Sequence, residues 1–368
     1  MARPQTPPPR PRNSRKTPSA PLLERVRHIV AAAPANRPLP TTRELGAEFD
    51  VANTTVFRLL RTMAEAGEIW QHPTNGRYYQ SAARALLERP KPVACLIRRL
   101  ELGSELYREL LEGVSAGCGE QRRTMLLWHD ELLVNHPDPH EPPRFAPEAQ
   151  QRAILQEFTD RHGAAAEGFV LDHIWSDEAL LAHADRLQPA VVLFRSCPLK
   201  GFSNVAANFH AGALKALAHL LGRGFEQIIP VEPFAGDLAV TQFGGALAAA
   251  AAELGCRDRL AAVASVGTDT QRTALVNRLQ RGTRRTALLC PEDNIAALLL
   301  GELRAAKIPC PGRIGVLSVM GTDFATKAGL SCVRYDFRAL GRLAVAALGG
   351  KQPVRHLLEP QFVSGNTT

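Results

Sequence analysis

Basic and hydroxyl side chains recur at short spacing between residues 41 and 77. Guanidinium and hydroxyl groups donate hydrogen bonds to phosphate oxygens, and a carboxamide can pair with two major-groove atoms of adenine. We therefore expect Arg43, Thr54 and Thr55 to hold phosphates or bases. Asn53 and Arg58 are the candidates for recognising a base sequence. The full set of candidate nucleic-acid contacts is Thr41, Thr42, Arg43, Asn53, Thr54, Thr55, Arg58, Arg61 and Arg77.

Apolar residues at helical and alternating spacing predict the elements that position these groups. In chain order they are a helix at 21–33, a helix carrying Glu44, Leu45 and Phe49, a helix at 54–65, and strands at 68–71 and 77–80. Thr41 or Thr42 would cap the second helix, and Gly67 would end the third. Two helices joined by a tight turn and followed by a hairpin form a winged helix-turn-helix. In that motif one helix enters the major groove, and Arg77 on the hairpin would reach the minor groove or a phosphate.

Residues 39–79, LPTTRELGAEFDVANTTVFRLLRTMAEAGEIWQHPTNGRYY, resemble the DNA-binding domain of the GntR family. The positions that match the family pattern in order are Leu39, Pro40, Arg43, Glu44, Leu45, Val51, Thr54, Thr55, Val56, Gly67, Ile69 and Gly76. Asn53 and Phe57 stand where the family usually has arginine, and Thr74 replaces the first glycine of the wing. The resemblance implies a DNA-binding domain over residues 19–80.

Charge and composition divide the chain. The 368 residues have a net charge of +8, and residues 1–90, with 14 Lys/Arg and 7 Asp/Glu, hold +7 of it. A basic excess at one end is typical of a phosphate-binding module. Residues 1–18 are rich in proline and arginine and are predicted to be a disordered tail, either a basic arm that attracts DNA or a solvated segment without a role. Residues 81–91 are predicted to be a linker with a brief helix.

Cysteine usage and hydropathy indicate a cytoplasmic protein. The seven cysteines are scattered without a C-x-x-C pair, as expected for reduced thiols. No apolar run approaches the roughly 20 residues that a membrane helix needs, and no signal peptide is recognised. We expect neither a membrane partner nor a cofactor or metal. The segment HPDPH at 136–140 has a metal-like composition, but its prolines favour an exposed loop.

Residues 92–368 alternate apolar runs with amphipathic helices, which predicts a doubly wound α/β domain with parallel sheets. The predicted strands are at 93–97, 124–128, 168–172, 190–194, 227–231, 260–265, 286–290 and 314–319. The predicted helices are at 104–118, 147–163, 177–187, 210–222, 238–254, 268–281 and 292–306. About 275 residues exceed what one sheet holds comfortably, so we expect two lobes.

Three stretches of this region are similar to the effector domain of the LacI/GalR repressors. They are NVAANFHAGALKALAHLLGRGFEQI (204–228), ALLCPEDNIAALLLGELRAAKIPCPGRIGVLSV (287–319) and LSCVRYDFRALGRLAVAAL (330–348). The resemblance implies the two-lobed fold of type I periplasmic binding proteins, used for effector binding and dimerisation. Joined to a GntR-type reader, it gives the arrangement of the arabinose repressors.

Ligands of such domains bind at the carboxyl ends of the strands, in the cleft between lobes. The candidate effector contacts are Arg98, Tyr107, His129, Trp175, Phe194, Arg195, Gln242, Glu292 and Asp293. Trp175 would either stack on a sugar face or pack as an aromatic at a helix start. The polar anchors of sugar-binding relatives are replaced here by Gln242 (or Thr241), by Glu292 and by Met320-Gly321. Either the ligand differs, or the cleft binds none and serves dimerisation.

These patterns predict a transcriptional regulator, in particular a repressor, that binds an inverted-repeat operator in double-stranded DNA as a homodimer and responds to a small-molecule effector. No catalytic motif is present, so we do not expect an enzyme. A pyridoxal-phosphate enzyme fused to the reader would need a longer body and a suitably placed lysine. The remaining alternative is a ligand-independent DNA-binding dimer with a degenerate cleft.

Overall fold

A computed structural model of the chain describes residues 20–34, 37–87, 92–98, 105–130, 133–134, 144–234, 236–350 and 352–368. The chain divides into two compact units, the first of which ends at Arg89. We call residues 20–87 the head and residues 92–368 the body. The predicted tail at 1–18 and the HPDPH segment lie outside the described residues. No helix in the described ranges is long and apolar enough to cross a membrane.

The head contains the predicted three helices and hairpin. Its elements are α1 Ala20–Ala32, α2 Thr42–Phe49, α3 Asn53–Glu65, β1 Ile69–Gln71, β2 Tyr78–Gln80 and α4 Ser81–Leu87. β1 and β2 pair antiparallel, and α4 is the brief helix expected in the linker. The helix α3 begins at Asn53, one residue earlier than predicted. The buried core is formed by Leu22, Val26, Leu39, Leu45, Val56, Leu59, Leu60, Met63, Ile69 and Tyr78.

Local signals fix the ends of the helices in the head. Thr41 and Glu44 form a capping box at the start of α2: the Glu44 amide donates to Thr41 Oγ1 at 3.2 Å, and the Thr41 amide donates to Glu44 Oε2 at 2.6 Å. Asp50 ends α2 in the left-handed region with a φ of 51°, which turns the chain towards α3. Gly67 follows α3 with a φ of 76°.

The body consists of two lobes, each built on a six-stranded sheet. The first sheet has the order β15-β9-β8-β7-β3-β4 and is entirely parallel. Its strands are β3 Val93–Arg98, β4 Met125–Asp130, β7 Gly168–Leu171, β8 Ala190–Phe194, β9 Phe202–Ala207 and β15 Arg355–Leu358. A separate small hairpin is formed by β5 Leu133–Val134 and β6 Arg144–Phe145.

The second sheet has the order β11-β10-β12-β13-β14-β16, with only β16 antiparallel to its neighbour. Its strands are β10 Gln227–Glu232, β11 Ala264–Ser265, β12 Thr286–Cys290, β13 Ile314–Gly321, β14 Ser331–Arg334 and β16 Gln361–Val363. The helices of the body are α5 Glu105–Glu120, α6 Glu148–His162, α7 Asp177–Ala182, α8 Phe209–Gly222, α9 Leu238–Glu253, α10 Asp269–Arg281, α11 Asp293–Ala305, α12 Asp323–Lys327 and α13 Phe337–Leu348. The doubly wound, two-lobed prediction is confirmed.

Two of the predicted elements are shorter than expected. The run at 260–265 forms only the two-residue strand β11, because this edge strand pairs with β10 at just two positions. The helix expected over 177–187 ends at Ala182 and continues as a short 3₁₀ turn at Ala184–Arg186. Neither change alters the order of the elements.

The chain crosses between the lobes after β9, after β14 and after β15, and these three crossings are bonded together. The Asn208 side chain donates to Glu359 Oε1 at 2.7 Å, and the Tyr335 hydroxyl donates to the Asn208 carbonyl at 3.1 Å. Gly212 makes this possible, since a Cβ there would lie 2.3 Å from the Tyr335 hydroxyl. The side chain and the backbone carbonyl of Asn208 therefore link all three connections.

Candidate functional site

The helix α3 has one buried and one exposed face. Its buried residues are Val56, Leu59, Leu60 and Met63, which recur at helical spacing and pack into the core of the head. The predicted contacts Asn53, Thr54, Arg58 and Arg61 are all exposed, whereas Thr55 is half-buried. The exposed face of α3 thus carries hydroxyl, carboxamide and guanidinium groups together.

The bonds that hold these side chains within the head are weak. Arg58 Nε lies 3.4 Å from the Thr54 carbonyl oxygen, at the long limit of a hydrogen bond. Arg61 pairs with Glu65 at 2.9 Å, but both side chains are more than 60% exposed, at 67% and 64%. Exposed pairs of this kind contribute about 0–1 kcal/mol, so a phosphate can replace the carboxylate.

The other predicted contacts of the head divide between structural and exposed positions. Thr41 uses both its hydroxyl and its amide in the capping box, so its role in the structure is to start α2. Thr42 is half-buried in the first turn of α2, and Arg43 beside it is exposed. Arg77 is exposed immediately before β2, where its amide donates to Asn75 Oδ1 at 2.9 Å. Arg43 and Arg77 are therefore the accessible cations outside α3 among the predicted residues.

Gly46 explains how closely the turn approaches α2. A Cβ on Gly46 would lie 2.4 Å from Asn53 Oδ1 and 3.0 Å from the Val51 carbonyl oxygen. The glycine leaves room for the first side chain of α3. Sequence analysis did not single out Gly46, although a glycine in the middle of a predicted helix signals close approach of another backbone.

In the body, several predicted cleft residues are hydrogen-bonded to other groups of the protein. The Tyr107 side chain is buried, and its hydroxyl donates to Asp172 Oδ2 at 2.6 Å. Asp172 Oδ1 in turn lies 2.6 Å from His173 Nδ1, and His173 Nε2 lies 3.4 Å from Asp237 Oδ2. His173 belongs to the first lobe and Asp237 begins α9 of the second, so this row of groups joins the two lobes.

Electrostatics favour a protonated His173. Burial of the imidazole lowers its pKa, but the charges and hydrogen bonds of Asp172 and Asp237 outweigh burial and raise the pKa from 6.5 to about 10. Asp237 Oδ1 also accepts from the amides of Ala239 and Val240 at 2.8 and 3.1 Å, which caps α9. Neither aspartate was among the predicted effector contacts, although Asp237 stands before an apolar helical run, as a cap does.

Arg195 and Trp175 are buried in the first lobe. The Arg195 guanidinium donates to the carbonyls of His173, Ser196 and Trp175 at 2.7–3.0 Å and pairs with Asp177 Oδ1 at 2.6 Å. The Trp175 side chain is fully buried in the core and presents no face to a sugar. Of the two interpretations of Trp175, the structure supports the packed aromatic.

Gln242 links the lobes directly. Its Oε1 accepts from the Ser196 amide at 2.7 Å, and its Nε2 donates to the Ser196 carbonyl at 3.1 Å. Ser196 follows β8 in the first lobe, whereas Gln242 lies on α9 in the second. This residue was predicted to contact an effector, and in the structure its carboxamide makes two hydrogen bonds to the backbone of Ser196.

Phe194 is part of a row of buried rings between the lobes. Its ring lies 5.4 Å from that of His173 and 5.6 Å from that of Phe337, and its backbone is in the left-handed region with a φ of 63°. Phe209, Phe243 and the Tyr335 ring continue the contact into the second lobe. One hydrophobic cluster therefore extends through both lobes, in addition to a separate cluster in each lobe.

An acidic pocket of about 60 Å³ lies between the start of α5 and the start of α11. Glu105 lines it from the first lobe, and Glu292 and Asp293 line it from the second. Asp293 is buried, and its Oδ2 accepts from the amide and hydroxyl of Thr322 at 2.8 and 2.7 Å. Burial raises the pKa of Asp293, although the hydrogen bonds from Thr322 act to lower it. Arg98 and His129 were expected just after their strands; Arg98 is the last residue of β3 and His129 the last but one of β4, and the structure does not describe their side chains.

A known family model matches part of the body. Residues 217–368 match the family model described as a periplasmic binding protein-like domain. The fold of the body is periplasmic-binding-protein-like. The comparison with curated proteins found no significant match.

Solved structures with this fold include transcriptional regulators. A LacI transcriptional regulator from a Rhodococcus species is 21% identical, covers 75% of this chain and 97% of its own, and has a TM-score of 0.60. A LacI family regulator from Enterococcus faecium with bound ribose is 17% identical, with 75% and 98% covered and a TM-score of 0.59. One from Weissella paramesenteroides with bound sucrose is 12% identical, with 75% and 98% covered and a TM-score of 0.59. At these identities the likeness is one of fold.

Proposed function

We propose that the protein is a DNA-binding transcriptional regulator, in which the head recognises DNA and the body carries the regulatory signal. The observation that carries the proposal is the exposed face of α3. It presents Asn53, Thr54, Arg58 and Arg61 to solvent while the opposite face forms the core of the head. A helix with this division, together with a hairpin that carries Arg77 just before its second strand, is what a winged helix-turn-helix reader requires.

Selection of bound DNA from a random-sequence pool, with the full chain at physiological salt, tests this proposal. We expect one sequence motif to be enriched. Recovery of unselected DNA would contradict recognition of a specific site, since phosphate contacts alone bind all sequences.

We further propose that the chain acts as a homodimer on an inverted repeat and represses transcription. The support is the resemblance of the head and body to dimeric repressors, together with the symmetry that a dimer imposes on its operator. The selected motif tests this too. Two half-sites whose centres lie about 10 base pairs, or a multiple of that, apart would fit a two-fold symmetric dimer. A single asymmetric site would contradict it.

We propose a sugar or sugar derivative as the effector of the body. Support comes from the fold and from structural neighbours solved with bound ribose and sucrose. Ligand pockets usually enclose about 300–1,000 Å³, several times the 60 Å³ of the acidic pocket. Binding would therefore separate the lobes and break the His173–Asp237 and Ser196–Gln242 contacts.

A second candidate function is a ligand-independent DNA-binding dimer, and the same contacts favour it. Tyr107, Arg195 and Gln242 already bond to protein groups, and Phe194 packs in the shared core. A thermal-shift screen with sugars and sugar phosphates separates the two candidates. A ligand that raises the melting temperature of the full chain and changes its affinity for the selected DNA supports effector control. Failure of the whole set to do either supports the ligand-independent dimer.

A further inference from the structure

An exposed aromatic ring interrupts the polar face of α3. Phe57 is 48% exposed, and it is absent from the buried core of the head. Its neighbours on that face are Asn53, Thr54, Arg58 and Arg61, all of them polar or charged and all exposed. A large apolar side chain among hydrophilic groups gains free energy when a partner covers it.

The position of Phe57 relates it to Asn53. The two residues are four apart on α3, so they lie one turn from each other, separated by about 40° around the axis and about 6 Å along it. Asn53 opens the helix, and the first turns of a recognition helix are those that contact base edges. Base pairs stack about 3.4 Å apart, so the ring of Phe57 can reach a base pair adjacent to the one that Asn53 contacts, or the next one.

The chemistry of the ring restricts what it can recognise. An arginine at this position would donate two hydrogen bonds to guanine, but a phenyl ring donates none. In the major groove the apolar feature of a base pair is the 5-methyl group of thymine, and phenylalanine is among the side chains that contact it. Asn53 can pair with adenine through its carboxamide. Both side chains therefore favour A·T pairs.

We propose that Phe57 is a specificity-determining residue that packs against the 5-methyl group of a thymine, next to an adenine contacted by Asn53. This inference rests on the proposed function, because it requires α3 to enter the major groove. The flanking cations Arg43, Arg58 and Arg61 are exposed and complement the phosphates that border such a groove. Each half-site should accordingly contain an A·T-rich core.

Phe57 also borders a groove of about 630 Å³ between α3, the hairpin and α4, with Trp70 and Tyr78 among its lining residues. A ring that served this groove would affect the stability or assembly of the protein. A ring that contacts thymine would affect discrimination between bases. Only the second role makes the affinity for DNA depend, through Phe57, on the 5-methyl group of a thymine.

The experiment replaces each thymine of the selected site in turn by deoxyuridine, which removes the 5-methyl group and keeps the base pairing. Affinities are measured for the full chain and for Phe57→Ala. Removal of the contacted methyl group from one half-site should weaken binding by the unmutated protein about fourfold, the value for one buried methyl group. The same removal should leave binding by Phe57→Ala unchanged. As a control, Leu181→Ala, at a leucine 61% exposed on the body, should keep the full sensitivity to the methyl group.

A second variant gives an independent readout. Phe57→Arg should shift selection at that position from thymine to guanine, because a guanidinium donates to guanine O6 and N7. A selected motif whose thymines can all be replaced without loss would overturn the role of Phe57 and leave the proposed function standing. Equal sensitivity to the methyl group in the unmutated protein and in Phe57→Ala, with a change in stability or assembly, would assign the ring to the groove and also overturn it. Enrichment of no motif would remove both the inference and the function.

Discussion

The polar side chains of the head and those of the cleft in the body differ in how far they are bonded to the protein itself. On α3 of the head, the guanidinium and carboxamide groups face solvent and make at most weak contacts with the protein. In the body, Tyr107, Arg195 and Gln242 are bonded to groups of the protein itself. Polar groups that are buried must be hydrogen-bonded, whereas exposed ones remain available to a partner. The difference indicates that the polar groups of α3 are available to a partner, whereas the body would have to exchange internal hydrogen bonds for bonds to a ligand.

Replacement of Arg195 by alanine should have the largest effect of the changes that test this comparison. It removes a buried cation that holds three carbonyls and Asp177, so the free energy of unfolding should fall by about 3 kcal/mol. Urea denaturation measures this change. Arg186→Ala, which breaks an exposed pair with Asp160, is the matched control and should cost less than about 1 kcal/mol. Similar stability of the two variants would show that Arg195 faces the cleft after all.

The pH dependence of stability should reveal the His173 contact. The pKa of His173 is raised in the folded protein, from 6.5 to about 10. The protonated imidazole therefore contributes its full share to the free energy of unfolding below pH 6.5, and this share is lost as the pH rises towards 10. Asp237→Asn removes one of the two carboxylates and should move this loss to lower pH. Melting temperatures measured from pH 6 to 10 test the shift. Asp258→Asn, at an exposed carboxylate of the same lobe, should follow the unmutated protein.

In the head, Arg43→Ala should change binding and not stability. Arg43 is exposed, so the free energy of unfolding should change by less than about 0.5 kcal/mol. Loss of one phosphate contact should weaken binding to all DNA by about tenfold. It should also reduce the slope of log affinity against log salt concentration by about one, since one counterion fewer is released. Gel-shift titrations at several salt concentrations measure both. An unchanged affinity, as expected for the control Arg257→Ala on the body, would remove Arg43 from the interface.

Gln242→Ala should lower the stability only slightly but should change the shape of the molecule. Loss of the two exposed hydrogen bonds to Ser196 should cost about 1 kcal/mol. It should also increase the fraction of molecules with separated lobes, which X-ray scattering detects as a larger radius of gyration of the full chain. Gln352→Ala, at an exposed glutamine outside the cleft, should leave the scattering unchanged. Equal scattering by both variants would show that other contacts suffice to close the cleft.

Most of the body could be predicted from its sequence, because strands buried on both faces appear as continuous apolar runs. The strand β9 was not among the predicted strands, since FSNVAA contains Ser203 and Asn204 in its interior. Asn204 is buried because its carboxamide donates to the carbonyls of Val192 and Arg195 at 2.9 and 2.8 Å. These bonds join Asn204 to the preceding strand and to the residue after it, so the residue pattern of β9 alone does not reveal them.

The candidate site was less accessible to sequence reasoning. Strand ends located Trp175 and Arg195 correctly along the chain, but not the direction of their side chains, which turn into the first lobe. In the head, the helical spacing of Val56, Leu59 and Met63 was enough to show which residues of α3 face outwards. One regular helix defines its own exposed face, whereas a cleft depends on how two lobes meet.

The ratio of affinities for specific and unrelated DNA tests the central claim most directly. The full chain is titrated at physiological salt against its selected site and against a scrambled duplex of the same length and composition. The exposed face of α3 predicts a preference of about a thousandfold or more for the selected site, retained as the salt concentration is raised. Equal affinities that decline together with rising salt would mean that the head attracts DNA only through its charge, and would contradict the claim that α3 recognises sequence.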